Sequence, residues 1–393
     1  MKLFAKNKTQ ALLAGGLGVF TLAIISLHAY QVQDLSLTAQ VPTACFNTVD
    51  DDGDGKVDAW KIVKSKSVVP GDESGSVGVI SGDYAYYGTS SITPSIVKWR
   101  LSTFTKVATL ALDADATNDG FMDAALLSED GQTAFFSFQL GKVIPIDLTT
   151  FTQKPPISVP VPESGYGATP LAVRGNYLYV GTAGGVSVPG IITRVDLSGS
   201  TPNAVLYLNE GESMLPFGFV LDGQSLFIGT GDSPAQLVKI NLETFTRENA
   251  ISLGIASAIH SGIRSGNFGY FLGNGSLAKV DLVNFKTVKV KTISWKITNI
   301  GGLLLDPLGT YGYFTENRTD STPAKIHAVR LSDLSLTKAV AFAKNESELG
   351  GALIDTVRDA LYVHPAKYTS VRLVKIALND RECVNKNDIS EAN

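Results

Sequence analysis

The chain has 393 residues, of which 18% are charged, and a formal net charge of −4. This balance leaves no basic face for nucleic acid, so no nucleic-acid partner is expected. The 38 glycines and the 44% share of apolar residues are typical of a strand-and-turn protein with a sizeable core.

Residues 1–29 have the pattern of an export signal. Lys2, Lys6 and Lys8 precede an uncharged stretch over residues 11–27, and the small residue Ala29 follows. A basic start, an apolar middle and a small residue predict a secretory signal peptide. An uncleaved N-terminal anchor and a buried core helix are the alternatives. The first two predict export to the periplasm, the cell surface or the medium, with membrane contact only through an uncleaved segment.

Residues 30–60 form a predicted linker that carries an acidic loop. Carboxylates stand at positions 1, 3, 5 and 9 of the loop, Gly55 is at position 6, and a backbone carbonyl is available at position 7. Oxygen ligands at this spacing suit Ca²⁺. The predicted ligands are Asp50, Asp52, Asp54, Lys56 and Asp58. Lys61 stands at position 12, where a bidentate carboxylate is usual, and an acidic solvated turn is the alternative.

The segment from Cys45 to Asp58 resembles the thrombospondin type 3 and dockerin loops of exported bacterial proteins. It shares with them a cysteine followed by the run Asp-Asp-Asp-Gly-Asp-Gly. The loop occurs once and outside the repeats described next, so the resemblance implies one structural calcium ion rather than a regulatory one.

Between residues 61 and 380 the chain repeats one phrase seven times. Ser81–Thr89 and Arg174–Thr182 are two of the copies, and successive copies lie 43 to 49 residues apart. Each copy combines a short apolar run, a polar-glycine turn, an aromatic strand, a strand that alternates Lys with Val or Ile, and a short polar strand. One propeller blade needs this length and this order. We therefore predict an all-β, seven-bladed β-propeller and a monomer, with a two-sheet sandwich or an open solenoid as alternatives.

The last repeat lacks a fourth strand, whereas Lys61–Val69 precedes the first repeat and has the polar character of an outer strand. The sequence thus predicts a propeller closed by an N-terminal strand that completes the last blade. Such closure brings the two flanks together, and in an exported protein it predicts a disulfide between Cys45 and Cys383. Two unrelated thiols are the alternative. Residues 381–393 are a predicted C-terminal tail.

The repeat resembles the YVTN-type group of seven-bladed propellers, because Tyr179-Val180-Gly181-Thr182 stands where that group has its name motif. It lacks the Trp-Asp dipeptide of WD40 repeats and the paired glycines of kelch repeats. The resemblance implies the fold, and it implies no particular activity.

No catalytic constellation stands out in the sequence. The predicted inner strands are apolar, no nucleophile elbow is present, and His260, His327 and His364 fall at unrelated points of the repeat. The aromatic second strands are predicted to pack between blades, with a carbohydrate-stacking surface as the alternative. We interpret the chain as a non-catalytic propeller that binds a protein or glycan ligand at the cell envelope.

Two other functions remain open at this point. One is a propeller hydrolase or lyase, whose site would need polar residues near the starts of the inner strands to converge around one cavity. The candidates for that site are Asp123, Glu163, Glu212, His260 and Glu348. The other is a surface-layer or adhesion component.

Overall fold

The computed structural model describes residues 62–67, 75–89, 92–162, 170–184, 188–256, 258–293, 302–316, 323–342, 349–358, 360–365 and 372–378. These ranges contain 29 strands and one four-residue helix, α1 (Ala116–Asp119). The strands form seven antiparallel sheets. The protein is an all-β, seven-bladed propeller, which confirms the fold class that the repeats predict. No helix within the described ranges is long and apolar enough to span a bilayer.

The first three blades follow one another along the chain. The strands of blade 1, β2 to β5, are Gly75–Ser81, Tyr84–Thr89, Ser95–Arg100 and Thr105–Ala111. In blade 2, β6 to β10 are Met122–Leu127, Thr133–Phe138, Lys142–Asp147, Thr152–Gln153 and Ile157–Ser158. In blade 3, β11 to β14 are Leu171–Arg174, Tyr177–Thr182, Ile191–Asp196 and Ala204–Tyr207.

Blades 4 to 6 have the same order of strands. In blade 4, β15 to β18 are Met214–Asp222, Ser225–Thr230, Gln236–Asn241 and Thr246–Ser252. In blade 5, β19 to β22 are Ile259–Ser265, Phe268–Gly273, Ser276–Asp281 and Lys286–Thr292. In blade 6, β23 to β26 are Leu304–Leu305, Tyr311–Glu316, Lys325–Arg330 and Ser335–Ala341.

Blade 7 joins the two ends of the repeat region. Its strands β27 to β29 are Leu349–Asp355, Ala360–Pro365 and Arg372–Ala377. The strand β1 (Ile62–Ser67) lies beside β29, with Ser65 opposite Val374. The role of β1 in closing the ring stays a prediction, because the inner strands β2 and β27 contact each other and join blades 1 and 7 without it.

The hydrophobic core lies between blades. Each first strand contacts the first strand of the next blade, and these contacts run around the whole ring. The core between blades 3 and 4, for example, combines Tyr179 with Leu221 and Phe245. Burying such side chains contributes about 1.5–3 kcal/mol each, so apolar surface shared between neighbouring blades holds the ring together.

Glycine turns in four of the blades lie on a common side of the ring. In blades 1, 3, 4 and 5 a two-residue turn joins the first and second strands, and its glycine has φ between 54° and 58° (Gly82, Gly175, Gly223 and Gly266). Glycine adopts this conformation without steric cost. Because the strands alternate in direction, the turns between the third and fourth strands lie on the same side. We call this side the turn face.

Candidate functional site

A repeated turn on the turn face locks neighbouring blades together. After the third strand, five blades have a residue with φ between 47° and 60°, although none of these residues is glycine (Phe104, Phe151, Phe245, Phe285 and Leu334). A left-handed backbone costs an L-residue roughly 1–2 kcal/mol, so something must offset this cost. The side-chain packing of these residues offers the compensation.

The four phenylalanines pack against an aromatic ring of the preceding blade. Phe151 lies 5.8 Å from Tyr86, between ring centroids. The same arrangement joins Phe245 to Tyr179 at 6.1 Å. Phe285 and Phe227 are 5.7 Å apart, and Phe104 and Tyr362 are 6.3 Å apart.

Cations of the third strands lie over aromatic rings of the second strands. Lys98 lies over Tyr86 at 5.4 Å, and Lys279 lies over Tyr270 at 5.5 Å. These rings are buried, and Tyr86 is only 2% exposed. The burial of Tyr86 and Tyr270 agrees with the prediction that second-strand aromatics pack between blades, whereas Tyr84, Tyr177 and Tyr311 are half-buried.

Blade 3 departs from this pattern. Its turn has Ser200 at the position of the interlocking side chain, and its left-handed residue is Gly199, one position earlier, with φ of 69°. Asp196 organises the turn by accepting hydrogen bonds from the hydroxyls of Ser198 at 2.6 Å and Thr201 at 2.8 Å. These bonds, together with backbone N–H donors, lower the pKa of Asp196 to about 2. The carboxylate of Asp196 therefore stabilises the turn between the third and fourth strands of blade 3.

A second contact between blades is also replaced in blade 3. Ser81, the last residue of β2, donates its hydroxyl to the carbonyl of Gly131 in blade 2 at 2.8 Å. Ser265 makes the same bond to Gly309 of blade 6 at 2.7 Å. The residue of blade 3 at the same register is Arg174.

A cleft of about 1050 Å³ opens between blades 3 and 4, where Arg174 stands in place of the serine. Gly223 of blade 4 has no atom within 4 Å of the position that a Cβ would occupy. The wall from blade 3 includes Arg174, Tyr177, Arg194 and Asp196. Such a volume slightly exceeds the usual range of about 300–1,000 Å³ for small-ligand pockets, so it can hold an extended segment.

Two other charged residues that line the cleft have partners. Arg264 makes a salt bridge to Asp222 at 2.8 Å. Glu129 accepts the backbone N–H of Gly175 at 3.0 Å.

Two arginines in the cleft have no carboxylate partner among the residues that the structure describes. Neither Arg174 nor Arg194 makes an ion pair within the described part of the chain, and both are half-buried. The guanidinium of Arg194 lies 5.0 Å from the centroid of Tyr177 and 4.8 Å from that of Phe245. Stacking of this kind leaves the N–H groups at the guanidinium edge available to an acceptor. The cleft therefore presents donors for an anionic or carbonyl-rich ligand.

The three catalytic candidates that the structure describes do not line this cleft. Asp123 accepts a hydrogen bond from Gln139 at 3.1 Å, and burial raises the pKa of its carboxyl to about 7 although that bond opposes the rise. Glu212, which is buried, is bonded by both Nε and Nη2 of Arg247. His260 contacts Asn274 with 2.8 Å between Nε2 and Oδ1. None of these three candidates lines the cleft, and the other two, Glu163 and Glu348, lie outside the described residues.

The remaining histidines of the repeats, His327 and His364, pack against neighbouring aromatic side chains. His327 contacts Glu316 at 2.5 Å and stacks on Phe314 with centroids 5.1 Å apart. His364 is buried edge-on against Tyr87, with centroids 4.2 Å apart.

The predicted calcium ligands and the two cysteines lie outside the described residues. Within the ranges that are described, no group of three His, Cys, Asp or Glu side chains is placed to hold a metal ion. The calcium loop and the disulfide thus stay predictions.

No protein-family model matches the chain, and no curated protein matches it. Solved propellers do match its fold. The Cps50 (Swd1) β-propeller domain of Myceliophteria thermophila is 13% identical, with a TM-score of 0.62, and the match covers 80% of this chain and 99% of that one. A chain of a mitotic checkpoint complex is 12% identical, with a TM-score of 0.62 and coverage of 88% and 99%. At these identities the likeness shows the propeller fold alone.

Proposed function

We propose that this protein is an exported, non-catalytic β-propeller that binds a protein or glycan ligand in the cleft between blades 3 and 4. The observation that carries the proposal is the cleft itself. It lies where Arg174 stands at the position of a serine that bonds to the next blade in blades 1 and 5, and where two arginines lack a carboxylate partner among the described residues. Turns held by a rigid scaffold commonly carry binding residues.

The absence of catalysis is inferred from the surroundings of the candidate groups. Asp123, Glu212 and His260 are bonded to Gln139, Arg247 and Asn274, and none of the three lines the cleft. In the cleft, Asp196 is held by hydroxyl and backbone donors, which favour its ionised form. An ionised, fully bonded carboxylate is a poor general acid or base near neutral pH.

The location and the supporting features are proposed from the sequence. Residues 1–29 resemble a signal peptide, and the repeat resembles the YVTN type of propeller. The acidic loop from Asp50 to Asp58 is proposed to bind one structural calcium ion next to the start of the propeller. We propose a monomer, located at the cell envelope.

Blocking the cleft tests the binding function. Asn176 is exposed in the glycine turn of blade 3 and lines the cleft, whereas Asn267 is exposed at the same turn position of blade 5 and does not. The full-length protein and the variants Asn176→Trp and Asn267→Trp are used to capture ligands from envelope extracts and from a glycan array. We expect Asn176→Trp to lose a ligand that the unmutated protein and Asn267→Trp retain.

Equal capture by all three proteins would contradict a ligand site in the cleft. Thermal unfolding of each protein shows whether the tryptophan disturbs the fold. Hydrolysis or elimination of a captured glycan by the unmutated protein would overturn the non-catalytic part of the proposal.

A further inference from the structure

We propose that the ligand of the cleft is an acidic segment of a partner protein, held through carboxylate side chains by Arg174 and Arg194. This inference rests on the proposed function, because it names the class of ligand for the same cleft. It depends on the two arginines and on the surfaces around them.

The arginines provide the attraction. Arg264 has a carboxylate partner, Asp222, whereas Arg174 and Arg194 have none in the described part of the chain. A guanidinium presents a planar fork of donors that pairs with a carboxylate through two parallel hydrogen bonds. The rings of Tyr177 and Phe245 contact the guanidinium of Arg194 and restrict its motion, which reduces the entropy lost when such a pair forms.

Three carboxylates line the cleft, those of Glu129, Asp196 and Glu243, and within the described residues none of them makes an ion pair with Arg174 or Arg194. Asp196 accepts bonds from Ser198 and Thr201, and Glu129 accepts the N–H of Gly175. A carboxylate of a ligand could therefore pair with the guanidinium groups of Arg174 and Arg194 without displacing an existing ion pair.

A protein segment suits the cleft better than an acidic glycan does. Sugar recognition commonly uses an open aromatic face, but Arg194 covers Tyr177, and Tyr179 is only 2% exposed. The amides of Asn176 and Gln224, which also line the cleft, can bond to the carbonyl and N–H groups of an extended peptide.

The test measures binding of a fluorescein-labelled hexaglutamate peptide to the full-length protein by anisotropy. Hexaglutamine is the neutral probe, and polygalacturonate is the competing acidic glycan. We expect hexaglutamate to bind and hexaglutamine not to bind. The variant Arg174→Met plus Arg194→Met should weaken hexaglutamate at least about tenfold, because both forks are lost. Arg194→Lys should also weaken it, because a lysine offers a point charge in place of a fork.

Lys98→Met is the matched control, since Lys98 faces Tyr86 in blade 1 as Arg194 faces Tyr179 in blade 3. It removes a cation over an aromatic ring outside the cleft, so hexaglutamate affinity should not change. Equal affinity of the double arginine variant and the unmutated protein would overturn the inference. Tighter binding of polygalacturonate than of hexaglutamate would overturn it in favour of an acidic glycan.

The two proposals fail in different ways. If Asn176→Trp abolishes capture of the natural ligand but the arginine variants keep it, the cleft binds a ligand and the acidic class is wrong. If neither change affects capture, the proposed binding function is wrong. Melting curves of all variants identify any change that acts through unfolding.

Discussion

Arg358, in the turn between β27 and β28, donates Nη2 to Oδ1 of Asp83 in blade 1 at 2.5 Å. Its Nη1 also contacts Oδ2 of Asp355 at 2.7 Å. Asp355 is fully buried, whereas Arg358 and Asp83 are partly exposed. Blades 1 and 7 lie at opposite ends of the repeat region, so this arginine spans the seam where the ring closes.

Removing this arginine should weaken the seam. We expect Arg358→Met to lower the free energy of unfolding by about 2–3 kcal/mol, because the buried carboxylate of Asp355 loses its cation. Asp83→Asn should have a smaller effect, because water screens the more exposed pair. Urea unfolding measures both changes. Arg330→Met is the control, since Arg330 pairs with Asp333 on the exposed surface, and a loss as large as that of Arg358→Met would contradict the assignment.

The interlocking turns predict an unusual order of stability. Phe245→Ala should lower the free energy of unfolding by about 3 kcal/mol, because Tyr179 loses the ring that packs on it. Phe245→Gly removes the same ring but also relieves the left-handed backbone at φ 52°, a cost of roughly 1–2 kcal/mol. The glycine variant should therefore be more stable than the alanine variant in urea unfolding.

A strand position provides the comparison for this prediction. At Phe227, in the middle of β16, the usual order should hold, with Phe227→Ala more stable than Phe227→Gly. The same order at Phe245 and Phe227 would show that the backbone strain at Phe245 is too small to matter.

The buried histidine predicts acid sensitivity. Burial lowers the pKa of His364 to about 3, and neither of its ring nitrogens has a hydrogen-bond partner among the described residues. Between pH 6.5 and pH 3 the unfolded chain binds a proton at this residue and the folded chain does not. Its contribution to stability is thus fully present above pH 6.5 and is lost as the pH falls toward 3. By pH 4 the loss should reach roughly 3 kcal/mol.

The measurement compares the unmutated protein with His364→Leu by urea unfolding at several pH values. The difference in free energy of unfolding should move in favour of the leucine variant as the pH falls from 7 to 4. Two parallel pH profiles would mean that His364 is solvated or paired in solution.

The sequence predicts the blades but only part of what joins them. The alternation of apolar residues and the turn glycines identify the strands, because both patterns involve residues that are close together in the sequence. The left-handed turn at Phe245 could not be predicted in this way, since its packing partner, Tyr179, lies one blade earlier in the chain. Similarly, the repeat pattern predicts that Asp123 lies near the start of an inner strand, but it does not predict the hydrogen bond from Gln139.

The repeat of blade 3 differs from the other repeats at residues near the cleft, but these differences alone do not predict a cleft. A comparison of the repeats shows Arg174 where blades 1 and 5 have serine, and Ser200 where several other blades have phenylalanine. An arginine at the rim of a blade can also close a gap, as Arg264 does with Asp222 of the neighbouring blade. Only the three-dimensional arrangement shows that Arg174 lies in an open cleft.

The two cysteines are predicted to form a disulfide. Cys45 precedes β1, Cys383 follows β29, and these two strands are neighbours in the sheet. A bridge here would close a very long loop, for which the entropic model gives roughly 4–5 kcal/mol, although measured gains are often smaller. Mass spectrometry of unreduced, exported protein should find the two residues linked, and Cys45→Ser plus Cys383→Ser should melt earlier. Two free thiols in that sample would rule out the bridge.

Calcium is predicted to stabilise the protein through the acidic loop. Without a cation, the carboxylates of Asp50, Asp52, Asp54 and Asp58 repel one another just before β1. An ion that binds only the folded state at about a hundredfold excess over its dissociation constant adds roughly 2.7 kcal/mol, and the lysine at position 12 argues for a smaller gain. The melting midpoint should therefore be higher in millimolar calcium than in EDTA.

Two variants separate the loop from general effects of the ion. Asp52→Ala plus Asp54→Ala should remove the difference between the two buffers, because two of the four predicted carboxylate ligands are lost. Asp113→Ala plus Asp115→Ala deletes a pair of acids with the same spacing in the connection between blades 1 and 2, and it should keep the full response to calcium. If the unmutated protein melts at the same temperature in both buffers, the loop does not hold a stabilising calcium ion.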